Sequence, residues 1–192
     1  MVSSSNNGRG KKSLKLSIIS GKFGGRTINA PDGKLTHPMS SRVRGSLFNI
    51  INDELIGADV LDAFAGTGSL GLESLSRGAK HATFIERDRL ASKILVENIT
   101  TLEVDDFSKV FQIGAKTWID KNQDKSFDII FADPPYNDLQ LSTVFSLMGL
   151  LKPNGLMVLS YPGRGELPSV QGVVVVDNRS YGTAALTFYR NK

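Results

Sequence analysis

The 192-residue sequence contains no cysteine and only two histidines. The first absence excludes disulfides, thiol nucleophiles and cysteine-ligated zinc, and the second argues against a histidine-built metal centre, so no metal site is expected. Apolar runs are also short: none approaches the roughly 18 residues that a membrane-spanning helix needs. The first ten residues, Met1 to Gly10, are polar and lack the apolar stretch of a secretory signal, so the chain is expected to stay in the cytoplasm, away from membranes. Acidic residues are scarce at the front. Up to Gly45 there are nine Lys/Arg and a single acid, Asp32, whereas the remainder carries fourteen basic and eighteen acidic residues. A basic front end of this kind suits a phosphate-backbone partner, a solvated solubilising tail being the plain alternative.

With 40% hydrophobic and 22% charged residues, the composition is that of a globular chain able to bury one full core. Residues 1–12 are rich in Ser, Asn, Gly and Lys and read as a disordered arm. Leu14–Ser20 and Arg26–Ala30 alternate around Gly21, Gly24 and Gly25, which predicts a hairpin, and a flexible loop is expected through Pro31 to Pro38. Ser40 or Ser41 can cap a helix whose apolar positions Val43, Leu47, Phe48, Ile50, Ile51 and Leu55 recur at helical spacing. Arg42 and Arg44 fall in its first turn, where cations oppose the helix dipole. Both are therefore expected to face an anionic partner. Residues 13–56 thus form a basic extension.

From residue 57 to 192 the pattern changes. Strand-like and helix-like segments alternate: Asp59–Ala63, Ser69–Arg77, His81–Glu86, Arg89–Leu102, Val110–Ile113, Ala115–Lys121, Phe127–Asp133, Leu139–Leu151 and Leu156–Tyr161. This order predicts an α/β fold with a mostly parallel sheet covered on both faces. Val173–Val176 and Ala184–Tyr189 follow without an intervening helix and read as a closing antiparallel hairpin.

Two places carry chemistry. The first is Asp62-Ala63-Phe64-Ala65-Gly66-Thr67-Gly68, which leaves a strand and enters a helix, the position at which open α/β sheets bind ligands. An acid at the strand end and the absence of a third glycine disfavour a pyrophosphate, and hence a nicotinamide dinucleotide. A carboxylate there can instead accept hydrogen bonds from an amino-acid ammonium. Glu86, closing the next strand with Arg87 beside it, lies at the spacing of an acid that takes ribose hydroxyls. A nucleoside with an amino-acid tail, such as S-adenosylmethionine, fits both. The plain alternative is that Asp62 caps a helix and Glu86 is a surface acid.

The second place is Asp133-Pro134-Pro135-Tyr136, delivered by an apolar strand to the same sheet edge. An amino group on an aromatic base is a poor nucleophile because its lone pair is delocalised into the ring. The Asp133 carboxylate and the Pro134 carbonyl can each accept one of its N–H bonds, and Tyr136 can stack on the base. Pro135 removes a further donor and stiffens the turn. A rigid surface turn is the plain reading of any proline pair, but it does not account for the glycine loop earlier in the chain, two strands lying between those that carry the two motifs.

Taken together with Gly21-Lys22-Phe23-Gly24-Gly25-Arg26-Thr27-Ile28, Arg42-Val43-Arg44, Leu47-Phe48-Asn49-Ile50 and Tyr181-Gly182-Thr183, these motifs resemble the RsmD family of 16S ribosomal RNA guanine-N2 methyltransferases over about Ile18 to Tyr189. The resemblance implies a Rossmann-like class I methyltransferase with a seven-stranded sheet, an antiparallel C-terminal hairpin and a small N-terminal extension. It implies S-adenosylmethionine held by Asp62 to Gly68 and by Glu86. Similar proteins tend to place an acid near the adenine where this chain has Gly114, so the adenine would use backbone groups around Ala115. Asp133 to Tyr136 would receive the base, and Lys22, Arg26, Arg42 and Arg44 would meet 16S rRNA, alone or within a small ribosomal subunit. A monomer is expected. An adenine-N6 methylase and a non-catalytic RNA-binding assembly factor remain alternatives.

Overall fold

A computed structural model describes residues 14–31, 39–163 and 167–192. The arm at 1–12 and residues 32–38 of the expected loop lie outside the described residues.

The first two strands, β1 (Leu14–Ser17) and β2 (Thr27–Ala30), pair antiparallel as a separate hairpin. Helix α1 (Ser41–Ile50) follows, capped by the Ser40 side chain, which accepts a hydrogen bond from the Val43 N–H. Strand β3 (Asp59–Asp62), helix α2 (Ser69–Ser76), strand β4 (His81–Ile85) and helix α3 (Arg89–Leu102) come next. Beyond them are β5 (Ser108–Phe111), α4 (Ala115–Asp120), β6 (Phe127–Ala132), α5 (Leu141–Met148), β7 (Leu151–Tyr161), β8 (Val173–Tyr181) and β9 (Ala184–Asn191).

Strands β3 to β9 form one seven-stranded sheet in the order β5-β4-β3-β6-β7-β9-β8. The first five run parallel and β9 reverses against β7, so the α/β expectation and its antiparallel closure hold. The strand period of two sorts side chains between faces. Ile129 and Phe131 of β6 meet Leu47 and Phe48 of α1 and Ile51 just beyond it on one side, while Ile130 meets Trp118 of α4 and Val144 and Leu147 of α5 on the other. Each large side chain removed from water in this way contributes about 1.5–3 kcal/mol. A third cluster joins the hairpin residues Ile18, Phe23 and Ile28 to Leu72 and Leu75 of α2 and to Phe84, Leu95 and Ile99. The N-terminal hairpin therefore shares the core of the sheet domain.

Element boundaries differ from expectation at the sheet's outer strands. β8 continues through polar Asp177 to Tyr181 past a bulge, because an edge strand exposes one side and needs no apolar alternation to keep its ladder bonds. Strand β7 starts at Leu151, across a register shift opposite Phe127 and Ile129.

Candidate active site

Because β3, β4, β5 and β6 are parallel, the segments that follow them emerge at one edge of the sheet. That edge collects the loop Ala63 to Gly68, the pair Glu86 and Arg87, the turn at Gly114 and Ala115, and the segment Asp133 to Tyr136. Backbone bonds hold them in mutual register. Ala63 N–H donates to the Phe131 carbonyl (3.0 Å), Ala65 N–H to Ile85 (2.9 Å) and Glu86 N–H to Phe111 (3.1 Å).

Within the loop, Gly66 and Gly68 both adopt positive φ, +54° and +88°. A Cβ at Gly66 would project into open space, whereas one at Gly68 would lie 2.4 Å from Leu95 Cδ1. The second glycine is thus required by packing against α3, and the first leaves its outer face free for a ligand. Gly114 is likewise open. Glu86 is half-buried and already engages the loop: its Oε2 accepts from Gly66 N–H at 2.7 Å and its Oε1 from Asp88 N–H at 2.6 Å.

Asp62 is 1% exposed, and its Oδ2 accepts the Gly71 N–H in the first turn of α2 at 3.0 Å. The capping alternative is realised in the geometry, yet it uses only half of the carboxylate, for Oδ1 has no hydrogen-bond partner among the described residues. Burial, with Asp133 and Glu86 adding like charge, pushes Asp62 up to about 7 despite the opposing bond from Gly71.

Asp133 stands at the end of β6 and is pushed up to about 6 by burial, opposed by a hydrogen bond from Ser160. Pro134 is buried and Pro135 exposed. Tyr136 presents its ring to solvent, 44% exposed, with its hydroxyl 2.9 Å from Ser160 Oγ. Burial also raises the Tyr136 phenol.

The basic residues divide into three groups. Arg42 is exposed in the first turn of α1. Lys22 and Arg26 lie at the opposite end of α2 and α3, where Lys22 N–H bonds to Ser76 O and the Arg26 guanidinium to Thr101 O. The fourteen residues of α3 rise by about 20 Å, so these two cations are remote from the catalytic edge. Arg44 does not face a partner at all. It is 1% exposed, its Nη2 donates to Ser17 O at 2.5 Å, and burial lowers its pKa while the charge of Glu73 opposes the shift. The dipole argument failed here because the guanidinium turns inward to the Ser17 carbonyl, within reach of the charge of Glu73, 29 positions away in sequence.

Sequence reasoning missed three residues. Glu73, fully buried, accepts from Ile19 N–H (2.7 Å), Ser20 N–H (3.1 Å) and Arg77 Nε (2.8 Å). Asn98 bonds both backbone groups of Asn29 and also donates to the Thr67 carbonyl at 3.0 Å, tying the hairpin to the glycine loop. Ser160 bonds the Tyr136 hydroxyl and stands beside Asp133 in the strand register. Glu73 and Asn98 carry a helix-interior signal, a polar residue on an apolar face, that could have marked them; Ser160 carries none.

A mostly parallel sheet with a glycine loop after β3, an acid after β4 and Asp-Pro-Pro-Tyr after β6 defines a Rossmann-like S-adenosylmethionine-dependent methyltransferase fold. Residues 16–190 match the family described as Conserved hypothetical protein 95, and the chain belongs to that family. Its relatives include Ribosomal RNA small subunit methyltransferase D of Escherichia coli (strain K12), 35% identical over 159 residues that cover 81% of this chain and 79% of that one. YlbH of Bacillus subtilis (strain 168), named only provisionally as an rRNA methyltransferase, is 32% identical over 183 residues, 92% of this chain and 100% of its own. The solved structure of yhhF from Escherichia coli superposes with a TM-score of 0.84 at 33% identity, covering 93% of this chain and 99% of that chain.

Proposed function

We propose that this chain methylates the N2 amino group of a guanine in 16S ribosomal RNA, using S-adenosylmethionine. The observation that carries the reading is the convergence of Asp133-Pro134-Pro135-Tyr136 with the glycine loop at one sheet edge, in a member of a family that includes a small-subunit rRNA methyltransferase.

The site fits the cofactor in its own chemistry. Open space outside Gly66 and Gly114, the spare Oδ1 of Asp62 and the half-buried Glu86 carboxylate offer backbone approach and acceptors for ammonium and ribose groups. When bound, S-adenosylmethionine supplies an electrophilic methyl group. The chain's own residues prepare the nucleophile. Asp133, ionised above about pH 6, accepts one N–H of the base's amino group, and the Pro134 carbonyl accepts the other, which draws the nitrogen lone pair out of conjugation with the ring. Tyr136 offers its exposed ring as a stacking face for a base turned out of its strand. The same Asp133 oxygen is positioned to take the proton that the nitrogen sheds once methylated. Alignment of these groups is worth on the order of 7–11 kcal/mol of barrier. Arg42, exposed at the start of α1, serves as a phosphate contact near the site, with Lys22 and Arg26 gripping RNA farther away.

The test is transfer of labelled methyl to unmodified small-subunit particles and to naked 16S rRNA, followed by nucleoside analysis. N2-methylguanosine with the parent chain and none with Asp133→Ala is expected. N6-methyladenosine instead would overturn the guanine assignment, and cofactor binding without transfer would overturn the enzymatic one.

A further inference from the structure

The strand pairing that places Ala132 opposite Leu159 brings the next two residues, Asp133 and Ser160, side by side at the ends of β6 and β7. Ser160 is 3% exposed, within an otherwise apolar run, and its Oγ lies 2.9 Å from the Tyr136 hydroxyl. A buried hydroxyl in such a run needs partners; the Tyr136 hydroxyl is one, and the strand register sets the Asp133 carboxylate alongside as the other. We propose that Ser160 is a positioning residue for methyl transfer, its hydroxyl shared between the Asp133 carboxylate and the Tyr136 phenol so that the acceptor for the amino group and the stacking face are set as one unit. The inference rests on the reading of Asp133 to Tyr136 as the base pocket.

Donor and acceptor counting fixes the direction of the chain. An ionised carboxylate can only accept, so the Ser160 proton points at Asp133, and Tyr136 O–H then donates to a Ser160 lone pair. One carboxylate oxygen is thereby occupied and oriented, leaving the other for the base. The titratable groups facing Asp133 are Asp62 from β3 and Tyr136 from its own loop, with Glu86 beyond Asp62. Asp62 and Asp133 carry like charge once both are ionised. Ser160 is therefore the group that favours the ionised form of Asp133, in agreement with the downward pull it exerts against burial.

The experiment uses the full chain and has two readouts. First, the 13C carboxyl resonance of Asp133 is titrated in the free protein, which needs neither cofactor nor RNA. Ser160→Ala is expected to move its midpoint upward and Ser160→Thr, which keeps the hydroxyl, to restore it. Second, kinetics on rRNA are expected to show kcat reduced roughly ten- to a hundredfold in Ser160→Ala, the worth of a hydrogen bond to a charged group, with a smaller change in KM and an acid limb shifted to higher pH. A folded Ser160→Ala protein with the parent's Asp133 midpoint and acid limb would overturn the proposal. If Ser160→Ala does not fold, Ser160→Cys preserves volume with a weak donor and carries the same comparison. A shifted midpoint in a protein that methylates no guanine would uphold the Ser160 to Asp133 link and refute the proposed function instead.

Discussion

Replacing Glu73 should release the N-terminal hairpin from the domain. Glu73 is fully buried and accepts two backbone N–H groups of the hairpin end, Ile19 and Ser20, together with Arg77 Nε, and its charge faces the buried Arg44. Glu73→Ala leaves the Arg77 guanidinium without its ion-pair partner, removes the charge that offsets the burial of Arg44, and strands two amides. Removing one partner of a buried ion pair costs about 3–5 kcal/mol, and the stranded amides place the expectation at the upper end of that range. For a chain of this size each kcal/mol is worth about 2–4 °C in melting temperature, so a fall of roughly 10–20 °C is expected. Glu73→Gln, which keeps an acceptor oxygen, should lose less. Urea unfolding gives the free energy, and hydrogen exchange at the Ile19 and Ser20 amides reports whether the hairpin opens first. A Glu73→Ala protein within 1 kcal/mol of the parent, with those amides still protected, would refute the assignment of Glu73 as the clamp.

Three further outcomes follow from the geometry. Folded Asp62 keeps its proton up to about pH 7, whereas an unfolded aspartate releases it near its ordinary value of 3.8, so between those limits the folded state binds more proton and stability falls as pH rises. Asp62→Asn should flatten that slope in a series of urea titrations, and an unchanged slope would show that Asp62 is not its source. Arg42→Glu should weaken RNA binding and reduce its salt slope by about one without altering the melting temperature, while Arg44→Glu should cost roughly 3–5 kcal/mol of stability by placing a second acid against Glu73. Equal effects of the two on binding would contradict the burial of Arg44. Both glycines are left-handed, so alanine at either carries roughly 1–2 kcal/mol of backbone strain; Gly68→Ala adds a Cβ 2.4 Å from Leu95 Cδ1 and should destabilise further, whereas Gly66→Ala, pointing into open space, should spare packing and lower cofactor affinity in calorimetry.

The alternation of apolar runs with amphipathic segments was enough to read β3 through β7 in order, because a parallel sheet covered on both faces leaves a strong local record. The tetrapeptide and the glycine loop were legible for a related reason: prolines and glycines constrain backbone whatever surrounds them. Arg44 was not. Its sequence neighbourhood is that of an exposed first turn, and its burial goes with the docking of the hairpin, whose Ser17 carbonyl takes its guanidinium. Asp62 was legible as an acid at the right place but not as one turned under α2, since the bond to Gly71 depends on how the helix docks. Ser160 was illegible because one hydroxyl in a strand becomes informative only when pairing sets it beside Asp133.

Asn98 holds Asn29 of the hairpin with one set of bonds and Thr67 of the glycine loop with another. With Glu73 securing the other end, the hairpin cannot swing relative to the loop as a tethered module would. If its cations grip RNA, the span from grip to reacting nitrogen is a fixed length, and the chain selects its nucleotide partly as a ruler does. An RNA whose phosphates and target base are spaced differently would fit one end or the other, but not both.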